Sequence, residues 1–188
     1  MKPFDEMPYL ENDSLILREM TADDAQSLQT IAQDPKVYTY LPYFLYEQKY
    51  KDPKEVIEKM REECFLPKIS IMLGIFRKEE PSVMIGIAEI YAWDESKNKV
   101  SVGCRLARDY WYQGIAGQAV LMMKNYLEND LQVRTITAHI MRHNTASANM
   151  VRKLGFENRF PGLWEDWGRE GPVLTDKYVY RNLSNKKA

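Results

Sequence analysis

The stretch "DYWYQGIAGQAVLMMKNYL", residues 109–127, places three small residues at the start of an apolar segment with helical spacing. Gly114, Ala116 and Gly117 let backbone N–H groups approach a ligand closely, and the N-terminus of a helix favours negative charge. We therefore predict a helix from about residue 114 to 129, and one interpretation of the stretch is that its first turn holds an anion such as a phosphate. The alternative is that the small residues only permit a tight turn between a strand and this helix.

The loop does not match the two most common nucleotide-binding signatures. It lacks the Gly-Lys-Ser/Thr ending of a Walker-type site. Gly114 and Gly117 are three residues apart, but Tyr112 stands where G-x-G-x-x-G has its first glycine. The strands before the loop are also predicted to be antiparallel, which argues against a Rossmann dinucleotide site.

Length and composition are typical of one globular domain. A chain of 188 residues can bury roughly 70% of its unfolded surface. The net charge of −1 argues against nucleic-acid binding through a basic surface. Cys64 and Cys104 lack metal-ligand or disulfide spacing, so we expect two free thiols and no metal site. The N-terminal stretch "MKPFDEMPYLENDS" has acids and prolines where a signal peptide has a basic start and an apolar core. No apolar run reaches the ~18 residues that span a bilayer, so we expect a cytoplasmic protein without membrane contact.

The pattern of elements predicts an α+β (mixed α/β) fold. Alternating apolar residues predict strands, including an antiparallel meander and a final hairpin, at 14–20, 68–78, 82–93, 99–107, 133–141, 157–164 and 173–182. Cap residues and helical spacing predict helices at 21–33, 52–66, about 114–129 and 144–156. Residues 37–50, with six aromatic side chains, are predicted to be a loop or a broken helix.

These elements predict a single domain over residues 1–188. Its central twisted sheet would contain about seven strands, mostly antiparallel, flanked by about four helices. Residues 1–13 and 183–188 are expected to be peripheral or frayed.

A second motif, "NTASANMVRKLGF", occupies residues 144–156. With the loop "WYQGIA", which begins at Trp111, it resembles the GNAT superfamily of acetyl-CoA-dependent N-acetyltransferases, particularly the ribosomal-protein N-acetyltransferase (Rim-type) branch. The superfamily loop reads Q/R-x-x-G-x-G/A, and the second motif of this branch reads N-x-x-S followed by K-x-G-F. A helix and a strand separate the two motifs, as in the family, and the order of elements agrees across about residues 14–182.

The resemblance implies a GNAT fold, acetyl-CoA as co-substrate and no metal. Backbone N–H groups of residues 113–117 would hold the CoA pyrophosphate. The implied CoA-binding residues are Leu106, Trp111, Gln113, Gly114, Ile115, Ala116, Gly117, Asn144, Ser147 and Asn149. Asn144 would contact the pantetheine arm as well as cap a helix, and the Ser147 hydroxyl would assist the departing thiolate. Val151 stands where other branches have a tyrosine acid and cannot donate a proton.

The resemblance defines the general base less clearly. The Rim-type pattern has a glutamate near position 101, where this chain has Ser101. Glu89, in the strand-like "IAEIY", is the candidate catalytic carboxylate, and strand alternation leaves open whether it points into the cleft or to solvent. Asp176 resembles a family acid on the last strand, with a catalytic or a structural role. His139 and His143 need no function.

Two aromatic stretches would flank the acceptor end of the cleft, "YTYLPYFLY" at 38–46 and "LWEDWGRE" at 163–170. Aromatic faces with carboxylates suit a cationic amine, although they also serve as core anchors. We predict an N-acetyltransferase in which a neutral amine attacks the thioester directly. The α-amine of a protein or peptide N-terminus is a possible acceptor. The alternatives are an enzyme for small amines (a polyamine, an amino acid or an aminoglycoside-like compound) and a CoA-binding module without turnover. The chain is expected to be a monomer or a homodimer.

Overall fold

The computed structural model describes residues 4–182 of the protein. Its strands are β1 (Leu10–Glu11), β2 (Leu15–Glu19), β3 (Ser70–Arg77), β4 (Glu80–Asp94), β5 (Lys99–Leu106), β6 (Thr135–Met141), β7 (Glu157–Glu165) and β8 (Val173–Arg181). Its α-helices are α1 (Ala25–Gln33), α2 (Tyr46–Lys49), α3 (Pro53–Lys59), α4 (Ile115–Asn125) and α5 (Thr145–Lys153). The strands form one sheet in the order β1-β2-β3-β4-β5-β6-β8-β7. Neighbouring strands are antiparallel except β5 and β6, which are parallel, and the predicted mixed α/β fold is confirmed.

Strand β3 shows why the sheet is covered on both faces. Successive strand residues point to opposite faces. Ile71, Leu73 and Ile75 pack in one buried cluster with residues of α4 and α5. Met72 and Phe76 pack in a second cluster with residues of α1 and α3. A strand between two cores reads as a continuous apolar run, and "SIMLGIF" is such a run.

Several predicted helices differ from the structure in length or type. Helix α3 begins as predicted, with the Asp52 carboxylate accepting the Lys54 backbone N–H, but continues as a π-helical turn over Met60–Phe65. Helix α4 likewise ends in a π-helical turn over Tyr126–Asp130. The segment 37–50, predicted to be a loop or a broken helix, contains the single turn of α2.

The two ends of the chain only partly fall within the structure. Residues 1–3 and 183–188, which we predicted to be peripheral or frayed, lie outside the described residues. Within the predicted peripheral stretch, Phe4 is buried in the main core and β1 pairs with β2, which adds an eighth strand to the predicted seven. Within residues 4–182, no helix combines the length and apolar character needed to cross a bilayer. A single domain over residues 1–188 stays a prediction.

Candidate active site

Strands β5 and β6 separate in the middle of the sheet. They pair only from Lys99 with Thr135 to Ser101 with Thr137. Beyond Ser101, β5 continues to Leu106 along β4, whereas β6 continues to Met141 along β8. The backbone of β5 after Ser101 is therefore not paired with β6, and a gap opens between two neighbouring strands.

A cavity of about 440 Å³ lies against the end of β5. Its walls come from the end of β5, the loop and first turn of α4, the start of α5, and the segment after α1. The lining residues are Lys36, Val37, Thr39, Tyr40, Leu41, Cys104, Arg105, Leu106, Tyr110, Trp111, Tyr112, Gly114, Ile115, Ala116, Gly117, Asn144, Ala146, Ser147 and Met150. Both sequence motifs thus border one cavity, although a helix and a strand separate them along the chain.

The first turn of α4 is a candidate anion cradle on one wall of the cavity. Gly114 precedes the helix with a φ of 78°, a left-handed conformation that glycine adopts without a steric penalty. No side chain caps the helix at this residue, so its first N–H groups are available to a ligand. A Cβ atom on Gly114 would meet nothing within 4 Å, which shows open space in front of the turn. This geometry fits a pyrophosphate.

Trp111 and Leu106 hold the loop against β5. The Trp111 indole N–H donates to the Leu106 carbonyl over 2.9 Å, and both residues line the cavity. The side chain of Gln113 is used differently, since it donates to the Asp109 carbonyl and accepts from Arg77. Asn149 is exposed and accepts from Arg152. Neither Gln113 nor Asn149 belongs to the cavity lining, unlike the other predicted CoA-binding residues.

Asn144 and Ser147 meet at the start of α5. The Asn144 side-chain oxygen accepts the Ser147 backbone N–H over 3.2 Å, which caps the helix as predicted. Both residues are half-buried and line the cavity. The cap uses the backbone of Ser147 and not its hydroxyl. Val151, one turn further, is buried in the core.

The residues of the two motifs thus form one site, and comparison with known proteins agrees with it. The sequence model of the acetyltransferase (GNAT) domain matches residues 14–157. The chain belongs to the GNAT acetyltransferase family. It is therefore an N-acetyltransferase, as the sequence predicted.

Relatives of this GNAT domain have different acceptors. An uncharacterised N-acetyltransferase of Bacillus licheniformis, p20, is 26% identical over 184 residues, covering 97% of this chain and 99% of p20. The solved structure of RimL, a ribosomal L7/L12 α-N-protein acetyltransferase in complex with CoA, has a TM-score of 0.74 at 16% identity and covers 93% of this chain and 98% of RimL. Spermidine N-acetyltransferase from Vibrio cholerae, with CoA and spermine, also has a TM-score of 0.74, at 13% identity over 91% of this chain and 97% of its own. At these low sequence identities, the two solved structures show only that the fold is shared. Membership of the Rim-type branch therefore stays a prediction.

Glu89 takes part in a buried ionic cluster next to the cavity of the GNAT domain. Its carboxylate lies 3.3 Å from Nη1 of Arg105, whose Nε lies 2.5 Å from the carboxylate of Glu47. Burial raises the pKa of Glu89, and the charge of Arg105 opposes this shift. Arg105 lines the cavity and Glu89 does not. The predicted catalytic carboxylate therefore faces the interior beside the cavity and is held by a cation.

Ser101, where the Rim-type pattern has a glutamate, is buried at the last pair before the gap. Its hydroxyl lies 2.7 Å from the hydroxyl of Thr137. Cys104 lines the cavity, and burial raises the pKa of its thiol to about 12. A neutral thiol is a poor nucleophile, so the site favours direct transfer over an acetyl-cysteine. Within residues 4–182, no group of three or more His, Cys, Asp and Glu side chains is arranged to hold a metal ion.

Sequence reasoning missed a polar chain that begins at His139. Its Nδ1 lies 2.7 Å from one carboxylate oxygen of Glu165, and the Thr175 hydroxyl donates to the other oxygen. His139 lies two residues beyond Thr137, so it is the next residue of β6 on the same face after the strands part. Burial lowers its pKa, although Glu165 opposes the shift. No sequence signal connects His139 on β6 with Glu165 on β7. The two residues come together only because both strands pair with β8.

Asp176 has a structural role in this GNAT domain. Its carboxylate accepts from Nε and Nη2 of Arg142, the side-chain amide of Asn158 and the backbone N–H of Gly162. These bonds join β8 to the bent strand β7 and to the turn that leads to Asn144. Burial would raise its pKa, but the bonds from Gly162, Arg142 and Asn158 together lower it below 3.8.

Replacing Asp176 with asparagine is expected to lower the free energy of unfolding by about 2 kcal/mol at pH 7, because bonds to a charged acceptor weaken. The pKa of Asp176 is lower in the folded state than in the unfolded state. The difference in free energy of unfolding between wild type and variant should therefore have its full value above about pH 4 and shrink as the pH falls through the folded-state pKa. Urea denaturation at pH 7, 5 and 3 measures this. Asp13→Asn, at an exposed position, should change stability by less than about 0.5 kcal/mol. An undiminished difference at pH 3 would contradict the assigned role of the charge.

The two aromatic stretches contact each other through Arg169. Its guanidinium donates to the backbone carbonyls of Tyr38, Thr39 and Leu41 and lies 4.2 Å from the ring centroid of Tyr43. Residues 36–41 supply one wall of the cavity. Arg169 therefore fixes this wall from the segment between β7 and β8. No residue of 163–170 belongs to the cavity lining, and the place of the two stretches at the acceptor end stays a prediction.

Proposed function

We propose that the protein transfers the acetyl group of acetyl-CoA to a primary amine, and that its preferred acceptor is the α-amine of a peptide N-terminus. The observation that carries this proposal is the single cavity that connects the cradle at Gly114 to Asn144 and Ser147 beside the gap between β5 and β6. A cytoplasmic location and a monomeric or homodimeric state stay predictions.

The cavity suits the shape and charge of acetyl-CoA. The free N–H groups of the first α4 turn, with Gly114 and Gly117, would bind the pyrophosphate. Apolar side chains such as Leu41, Leu106 and Met150 would accommodate the pantetheine arm. After Ser101, the edge of β5 that is not paired with β6 provides hydrogen-bonding groups for the pantetheine amides. The solved structures of RimL and of the spermidine enzyme contain CoA, which supports acetyl-CoA as the co-substrate.

In the proposed reaction, a C–N bond forms between the amine and the thioester carbonyl carbon, and the C–S bond breaks. One proton leaves the nitrogen and one reaches the departing sulfur. The Ser147 hydroxyl donates a hydrogen bond to the departing thiolate, which takes up the proton lost by the amine, and Asn144 holds the start of α5 so that Ser147 faces the cavity. Backbone N–H groups next to the gap polarise the carbonyl.

None of the three groups considered as the base lines the cavity. Ser101 is bonded to Thr137, and Glu89 is held by Arg105. The pKa of His139 is lowered, which makes its imidazole less basic than usual. Neither Glu89 nor His139 lines the cavity, so each would act only through a bridging water. A site without a base in direct contact with the acceptor suits an acceptor that loses its proton readily.

The acidity of the acceptor then decides its identity. An α-amine has a reference pKa near ~8 and a lysine amine near ~10.4. Freeing the neutral nucleophile at pH ~7.4 costs roughly 1 kcal/mol for the first and about 4 kcal/mol for the second. The α-amine is therefore the better acceptor for this site.

We expect a peptide with only its α-amine free to be acetylated with at least a tenfold higher kcat/KM than the same peptide with only a lysine amine free. The measurement is release of free CoA thiol at saturating acetyl-CoA. As the pH is raised from 7 to 9, kcat/KM for the α-amine form should level off near pH ~8. For the lysine form kcat/KM should continue to rise, because the lysine amine has the higher pKa. The doubly blocked peptide is the matched control.

Other outcomes point to other functions. Faster acetylation of the lysine form would overturn the preference for α-amines. Activity on spermidine or free amino acids but on neither peptide would indicate a small-molecule N-acetyltransferase. Binding of CoA without thiol release from any amine would indicate a CoA-binding module.

A further inference from the structure

Tyr112 stands out at the rim of the cavity. Its side chain is 92% exposed, the largest exposed fraction among the exposed large apolar side chains of residues 4–182. Its backbone φ is 59°, in the left-handed region. Trp111, directly before it, is held by its bond to Leu106, and the two rings meet edge to face with centroids 6.5 Å apart. Tyr112 nevertheless belongs to the cavity lining.

The fold does not require a tyrosine at this position. A left-handed backbone is unfavourable for any residue with a Cβ atom, and glycine adopts it freely. Gly114, two residues further, has such a conformation with glycine. Tyr112 gains little from burial either, because almost all of its ring faces solvent. A strained and exposed aromatic residue beside a ligand cavity suggests a role in binding.

We infer that the Tyr112 ring is a stacking platform for the adenine of acetyl-CoA. The inference rests on the proposed placement of the pyrophosphate at the first turn of α4. From there the pantetheine arm leads to Asn144 and Ser147, so the adenosine leaves on the opposite side of the pyrophosphate. Tyr112 lies at the rim two residues before Gly114, with an accessible π face for a planar base.

The test compares ligands with and without the adenosine. Calorimetric titration should give Tyr112→Ala a Kd for CoA about tenfold higher than the wild type, in the range of base–aromatic stacking, and Tyr112→Phe a Kd within about twofold. With acetyl-4′-phosphopantetheine as acyl donor, which lacks the adenosine, kcat/KM should be the same for all three proteins. Tyr9→Ala, at an exposed tyrosine outside the cavity lining, should change neither value.

Tyr112→Gly separates the ring from the backbone. Because glycine relieves the left-handed strain, this variant should melt about 2–4 °C higher while binding CoA about tenfold more weakly. A loss of affinity in a more stable protein cannot come from unfolding.

Equal Kd values for CoA in the wild type, Tyr112→Ala and Tyr112→Gly would overturn the inference and leave the proposed function intact. Equal losses for acetyl-CoA and acetyl-4′-phosphopantetheine would also overturn it, because the ring would then not contact the adenosine. Failure of the wild type to bind CoA would overturn both the inference and the proposed function.

Discussion

Replacing Gly114 with aspartate is expected to raise the Kd for acetyl-CoA by at least 100-fold while leaving the fold intact. The new side chain enters open space, since a Cβ atom at this position has no neighbour within 4 Å. Its carboxylate would lie at the start of α4, where we place the pyrophosphate. Two unit charges about 5 Å apart repel by about 3 kcal/mol at an effective dielectric constant of about 20, which corresponds to more than a hundredfold in affinity.

Gly114→Asn is the matched control for this experiment. Asparagine and aspartate have nearly the same shape, and both tolerate the left-handed backbone at Gly114 better than other side chains. Both variants therefore share the loss of glycine and the added side chain, and differ in charge. Titration calorimetry should place the asparagine variant within about tenfold of the wild type. Equal affinities for the two variants would show that no anion binds at this turn.

Replacing Ser147 with alanine is expected to lower kcat about 100-fold, with less than about a threefold change in the Kd for CoA. Assistance to a departing thiolate acts in the transition state, and one hydrogen-bond donor to a developing anion contributes about 100-fold or more. The helix should remain intact, because Asn144 accepts the backbone N–H of Ser147, which alanine retains. Rapid-quench or steady-state kinetics at saturating amine, with calorimetry for binding, separates the two effects.

Two further variants make the Ser147 result interpretable. Ser147→Thr keeps a hydroxyl and should recover much of the lost kcat. Thr145→Ala removes a hydroxyl from the same helical turn, at an exposed position outside the cavity lining, and should leave kcat unchanged within about twofold. An alanine variant at position 147 with wild-type kcat would remove Ser147 from the mechanism.

The start of α4 and the cap of α5 were predictable from the sequence because they are local. The small residues and the apolar spacing after them predicted a helix from about residue 114, and α4 begins at Ile115. Asn144 caps α5 through the N–H three residues later, which is again a local bond. The strands followed from alternation, and the meander from short turns. The π-helical ends of α3 and α4 were not predictable, since spacing does not distinguish them from an α-helix.

The surroundings of Glu89 show where the local rules end. Alternation in "IAEIY" placed Glu89 on one face of a strand but did not determine which face is covered. The structure buries it beside Arg105, which in turn pairs with Glu47 on the short helix α2. These three charges lie far apart in sequence, and their separations carry no periodic signal. The same holds for Arg169, whose bonds to residues 38–41 span about 130 positions.

By itself, the sequence determined the family, the mixed fold, the loop of small residues before α4 and the capped helix with Ser147, because each follows from short motifs and local patterns along the chain. Tertiary structure alone decided that Glu89 is tied to Arg105, that His139 meets Glu165, that Asp176 is structural, and that Tyr112 stands exposed at the rim. The physical reason is that burial and electrostatic partners depend on which strands become neighbours in the sheet. That order, with β8 between β6 and β7, follows from long-range packing and not from local propensity.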